Sequence, residues 1–158
     1  MAKRRVALAF GLALALALGA AAADLASDYT PYRKVKVLVT TYRTDHWSYQ
    51  GRYKVVSKNG KRLGNYVALN FLPGGTIIMI PELFKTTTLE VVDTFGGTGI
   101  GYYKGKKYWK IDILRDRGEW MDDFDYPLNM YIVKYNQGGP VKNQLVKRNI
   151  QLFLEGKY

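Results

Sequence analysis

The chain has 158 residues, 24 Lys or Arg against 13 Asp or Glu, one His and no Cys. That length makes one domain with a real core, and the missing Cys excludes disulfides, thiol catalysis, iron–sulfur clusters and Cys-based zinc sites. A single His excludes a multi-His metal centre, so no metal and no cofactor is expected. The chemistry is bounded to carboxylates, hydroxyls and bases.

Residues 1–23 read as a signal peptide. Lys3, Arg4 and Arg5 are followed by an apolar run from Val6 to Leu18, and Ala21 and Ala23 suit cleavage before Asp24. The alternative is a retained N-terminal anchor, but the Ala- and Gly-rich run fits cleavage better than spanning. No stable membrane span is expected after cleavage, and no Cys follows to carry a lipid anchor. The expected product is exported and still strongly basic, periplasmic or extracellular and associated with the cell envelope. Export and the dispersal of the basic residues argue against nucleic acid. Acidic envelope polymers or lipid headgroups suit such a charge, and plain solubility is the alternative.

The chain from Asp24 reads mostly as strands. Arg33 to Arg43 alternates Val35, Val37 and Val39 with Lys34, Lys36, Leu38 and Thr40, which is strand periodicity. Tyr53 to Ser57 and Asn65 to Asn70 flank an Asn59-Gly60 turn. Pro73-Gly74-Gly75 turns the chain into Thr76 to Ile80, which Pro81 ends. Thr88 to Asp93, Tyr108 to Leu114 and Met130 to Tyr135 complete seven short strands, an all-β pattern that fits a small closed barrel. Arg115 to Phe124 is expected to form a short helix. After Gly138-Gly139-Pro140, residues 141–158 form a basic C-terminal tail. Val146, Ile150, Phe153 and Leu154 share one helical face there. Strand alternation of Ile150, Leu152 and Leu154 is the rival pattern. A helix packed on the barrel is preferred to one lying on a membrane.

Two acids stand out. Asp93 ends a strand and enters Thr94-Phe95-Gly96-Gly97-Thr98-Gly99-Ile100-Gly101, whose glycines permit close backbone approach to a ligand. Asp112 lies within a strand, where a charge needs solvent or partners. A turn cap or salt bridge is the ordinary role of either. The glycine spacing fits no P-loop, and no Gly-Lys-Thr/Ser follows.

Four segments in order carry a resemblance. They are Val39-Thr40-Thr41-Tyr42, Val67 to Thr76 (VALNFLPGGT), Val92-Asp93-Thr94-x-Gly96-Gly97 and Ile111-Asp112-Ile113. Together they resemble the three-aspartate (3D) domain, a double-psi β-barrel found in membrane-bound lytic transglycosylase A and in stationary-phase or resuscitation-related cell-wall enzymes. The likeness spans Val35 to Val133 and implies a six- to seven-stranded double-psi barrel over residues 24–140. Asp93 matches the acid of the Asp-Thr-Gly-Gly motif, Asp112 that of the last motif, and Asn70 stands where the first acid is expected. Tyr102 to Lys107 looks like an inserted hairpin tip.

The resemblance implies cleavage of the bond between N-acetylmuramic acid and N-acetylglucosamine without water. The muramic 6-hydroxyl attacks and leaves a 1,6-anhydro end, so one acid/base serves both proton transfers. Asp112 is then the catalytic acid/base, and Asp93 orients or tunes it, each raising the other's pKa if they are neighbours. Asn70, Thr40, Tyr42, Thr94, Gly96 and Gly97 bind the sugar. The partner is peptidoglycan or another envelope glycan. The alternative is a non-catalytic barrel that binds glycan through the same groove, which Asn70 favours because an amide carries no acidic proton. His46 beside Asp45 reads as a base or as a surface loop residue. Trp47, Tyr102, Tyr103, Tyr108 and Trp109 read as sugar platforms or as packing. Asp122, Asp123 and Asp125 lack the Gly and Glu of a calcium loop. The sequence leaves the oligomeric state open.

Overall fold

The computed structural model describes residues 33–44, 61–119 and 124–158. The expected signal segment, the strand Tyr53 to Ser57, the Asn59-Gly60 turn, His46, Trp47, Asp122 and Asp123 lie outside them. Seven strands and two helices follow in order: β1 (Arg33–Arg43), β2 (Tyr66–Leu69), β3 (Ile77–Met79), α1 (Pro81–Phe84), β4 (Thr88–Asp93), β5 (Ile100–Tyr103), β6 (Lys106–Arg115), β7 (Leu128–Lys134) and α2 (Gln144–Leu154).

Six strands close a barrel in the order β1-β7-β3-β4-β2-β6, with β6 returning to β1. The β1–β6 and β2–β4 pairs are parallel and the other four antiparallel. Closure leaves no free edge in the ring. The seventh strand, β5, extends β6 outside it. The alternation seen in the sequence decides what points inward. Val35, Val37 and Val39 of β1, Val67 and Leu69 of β2, Leu89 and Val91 of β4, and Trp109, Ile111 and Ile113 of β6 fill the interior. Burying each of the larger side chains contributes roughly 1.5–3 kcal/mol.

Three local outcomes differ from the sequence reading. The described part of the expected Arg115 to Phe124 helix is not helical: Arg115 still belongs to β6, and a turn follows at Arg117-Gly118. Instead, one helical turn forms at Pro81–Phe84. There the missing proline N–H costs nothing, because a helix's first N–H groups have no internal acceptor. Second, the described strand beyond the expected set is β5, inside the segment read as a glycine loop and hairpin tip. Third, α2 is helical as preferred, but its buried face is turned. Asn149 is 3% exposed while Leu154 is 53% exposed. The Asn149 amide donates to the Thr98 carbonyl at 2.8 Å, so a polar contact with the loop before β5 draws that side inward. Phe153 enters the core and completes an aromatic cluster with Phe71 and Trp109, whose rings stack 4.8 Å apart.

Candidate functional site

Cross-strand register aligns the candidate acids. Thr40 pairs with Asp112, Asp112 with Ala68, and Ala68 with Asp93, so one row crosses β1, β6, β2 and β4. Directly opposed residues point to the same face of a sheet. Their strand neighbours Val39, Ile111, Val67 and Leu69 point inward, so the row lies on the outer wall. A bulge between Val67 and Ala68 sets the last pairing, taking Ala68 past Val92 to Asp93.

The two carboxylates have different surroundings. Asp112 is half-buried and meets the Thr40 hydroxyl. That hydroxyl also lies 3.2 Å from the Ile111 carbonyl. Its single proton therefore has two acceptors. Pointed at Asp112 it stabilises a carboxylate, and pointed at Ile111 it leaves a lone pair for a protonated Asp112. Asp93 accepts from the Thr94 N–H at 2.7 Å and from the Lys142 ammonium at 2.7 Å, both on Oδ1. It is an anion held by a cation. The strand of Ala68 separates the acids, which puts their backbones about 10 Å apart. They are aligned without being neighbours, and Lys142 rather than Asp112 is the charge against Asp93.

Asn70, just past β2, is 1% exposed. Its Nδ2 donates to the carbonyls of Phe95 at 3.0 Å and Gly97 at 3.1 Å, and its Oδ1 accepts from the Phe95 N–H at 3.2 Å. Its amide thus staples the loop after Asp93 rather than facing a ligand. Gly99 ends that loop at φ +76°, and a Cβ there would lie 2.7 Å from the Asn70 Cβ. Positive φ and close approach together require glycine. Gly96 and Gly97 are exposed on the same loop, and Thr94 is half-buried at its start. Tyr42 follows Thr40 by two residues on the outer face of β1 and is half-buried.

A small pocket opens beside Asp93, lined among others by Leu72, Gly74, Thr94, Pro140, Lys142 and Val146. Sequence reasoning missed Lys142, because nothing in a linear reading connects the tail to a residue 49 positions earlier. It also missed Ala68, whose importance is purely a matter of register. Among the described residues no cluster of three or more His, Asp or Glu is placed to hold a metal ion, and no helix is long and apolar enough to cross a membrane. In comparisons with known proteins, no family model, curated protein or solved structure matches the chain.

Proposed function

We propose that this protein is an exported peptidoglycan-cleaving enzyme of the lytic transglycosylase type, with Asp112 as its acid/base. The observation that carries the reading is the Thr40–Asp112 contact, a half-buried carboxyl paired with a hydroxyl that serves both protonation states. A one-carboxylate mechanism needs such a group. Asp112 gives its proton to the leaving glucosamine oxygen as the bond to muramic C1 breaks. The 6-hydroxyl oxygen then bonds to C1, and its proton passes to the Asp112 carboxylate, restoring the starting state. Asp93, neutralised by Lys142, shapes the neighbouring wall and the glycine loop. It takes no proton in this scheme.

One observation favours a second reading, a barrel that binds envelope glycan without cutting it. Asn70 replaces the expected first acid, and its amide is committed to the backbone of Phe95 and Gly97. Digestion of purified peptidoglycan followed by mass spectrometry of the soluble products separates the two. Wild type should release anhydro-ended fragments, and Asp112→Asn should release them about 10²–10⁴-fold more slowly, the usual contribution of a general acid–base group. Reducing-end products would replace the transglycosylase reading with hydrolysis. Protein that pellets with the polymer and releases nothing would establish the binder.

A further inference from the structure

The outer end of the β5–β6 hairpin, from Tyr102 to Tyr108, contributes no residue to the site described above. β6 pairs with β1 from Trp109 onward and with β2 from Ile111 onward, so Lys106 to Tyr108 are paired by β5 alone. This end of the hairpin therefore lies outside the stretch of β6 that the ring uses. Its tip is the two-residue turn Lys104-Gly105, with φ values of 48° and 76°, the left-handed pair that a tight hairpin turn requires.

Its chemistry is one-sided. From Phe95 to Ile111 the sequence holds Lys104, Lys106, Lys107 and Lys110 and no acid. Lys104, Lys106 and Lys107 are exposed, and none forms an ion pair among the described residues. Tyr102 is 67% exposed and sits opposite Lys107 in the register. The Lys107 ammonium lies 5.3 Å from the ring of Tyr158, itself 47% exposed. Tyr158 is brought there by the end of α2. The Lys157 N–H bonds to the Leu152 carbonyl and the Gly156 N–H to that of Phe153, which turns the chain back so that Lys157 O accepts from Trp109 Nε1 at 3.2 Å. Tyr102, Lys107 and Tyr158 thus form one exposed aromatic–cation–aromatic row beside a lysine tip.

We infer that this hairpin tip docks on the surface of an anionic lipid bilayer. Tyrosine has an apolar ring and a polar hydroxyl, which suits the headgroup layer. Lysines with flexible stems reach anionic headgroups while their methylenes lie along the apolar boundary. The exposed rings decide between a bilayer and a soluble polyanion: lysines alone serve either, whereas Tyr102 and Tyr158 gain only where an apolar boundary lies beside the charge. This contact is independent of peptidoglycan cleavage.

The chain lacks cysteine, so Tyr102→Cys gives a unique attachment point for a polarity-sensitive nitrobenzoxadiazole dye. Thr86→Cys, exposed between α1 and β4 on another part of the wall, is the control. Purified chain, its N-terminus established by mass spectrometry, is mixed with vesicles of phosphatidylcholine with or without phosphatidylglycerol. The dye at 102 should brighten and shift to the blue only with phosphatidylglycerol, and salt should reverse the change. The dye at 86 should not respond. Replacing Lys104, Lys106 and Lys107 by Gln should weaken binding on the order of a hundredfold. Lys104→Gly alone, which keeps the turn's backbone preference, should weaken it severalfold in a protein of unchanged thermal stability. Equal responses at both dye positions, or a response to neutral vesicles, would overturn the inference. A dye at 102 that responds to soluble polyphosphate but not to vesicles would overturn it in favour of a polyanion.

Discussion

Asn70 stands where the resemblance expects an acid, and its surroundings explain why an amide sits there. Two carbonyl oxygens, those of Phe95 and Gly97, face its nitrogen, and a carboxylate would turn an oxygen toward both. Asn70→Asp should therefore destabilise the fold by about 1–3 kcal/mol at neutral pH, the cost of buried polar groups left unsatisfied. The pH dependence has a definite sign. Burial against carbonyls raises the folded-state pKa of the introduced acid above its unfolded value, so the folded state binds the extra proton. The deficit relative to wild type then grows as pH rises from the ordinary aspartate range to the raised folded value. Urea midpoints of both proteins across that range would check this, and a constant or shrinking deficit would mean that Asn70 is not a staple. This residue also marks the limit of what the sequence reveals. Side-chain chemistry identified Asp93 and Asp112 as positions of interest, and the resemblance added Asn70. The partners that define each of them come from elsewhere in the chain: the 95–97 backbone, Lys142 and Thr40.

At the level of elements, the strands with alternating Val and Ile were legible because one face of each fills the barrel, and that burial imposes a period of two. β1 carries the pattern through Val35, Val37 and Val39, its three buried residues, and the structure returns the strand as Arg33–Arg43. β5 was hidden because Ile100-Gly101-Tyr102-Tyr103 lies outside the ring, and with only Ile100 packed against the core nothing imposes the period. The turn after β6 stands where the start of the Arg115 to Phe124 helix is expected, and Glu119 clamps it. The Asp116 N–H donates to Glu119 Oε2 at 3.1 Å, and Arg62 approaches Glu119 Oε1 at 3.2 Å. The backbone hydrogen bond from Asp116 is the main cause holding the Glu119 carboxyl below its ordinary value of 4.5, with Arg62 and Arg115 adding to it against the opposing effect of burial. A lowered folded pKa means that the stabilisation is present above 4.5 and is lost as pH falls through the folded value. Glu119→Gln should therefore lower stability modestly at neutral pH and flatten the acid limb of the stability curve. Denaturant midpoints that keep the same acid slope as wild type would refute the clamp.

For the whole molecule, the question is whether residues 141–158 are an appendage or part of the barrel's closure. The core is continuous from the six strands into α2. Phe153 is 1% exposed, with its ring 5.4 Å from Phe71 and 6.4 Å from Trp109. Arg33, the first residue of β1, covers it from outside. Its guanidinium lies 4.3 Å from the ring and donates to the Phe153 carbonyl at 2.7 Å. Asn149 ties the same helix to the loop that Asn70 staples, and Lys142, just before it, holds Asp93. The helix therefore seals the barrel and fixes the loop beside the candidate site at once. An appended helix would lose little when its apolar anchor is cut, because it would fray on its own. A helix belonging to the core should lose the transfer energy of a phenyl ring and leave a cavity between Phe71 and Trp109. Phe153→Ala should then cost about 3–5 kcal/mol and lower the melting temperature by roughly 10–20 °C for a domain of this size. Unfolding should remain a single transition, followed identically by helical circular dichroism and by tryptophan fluorescence. A loss below about 1 kcal/mol, or a helix that melts before the barrel, would make the tail an appendage. It would also remove the basis for its hold on Asp93.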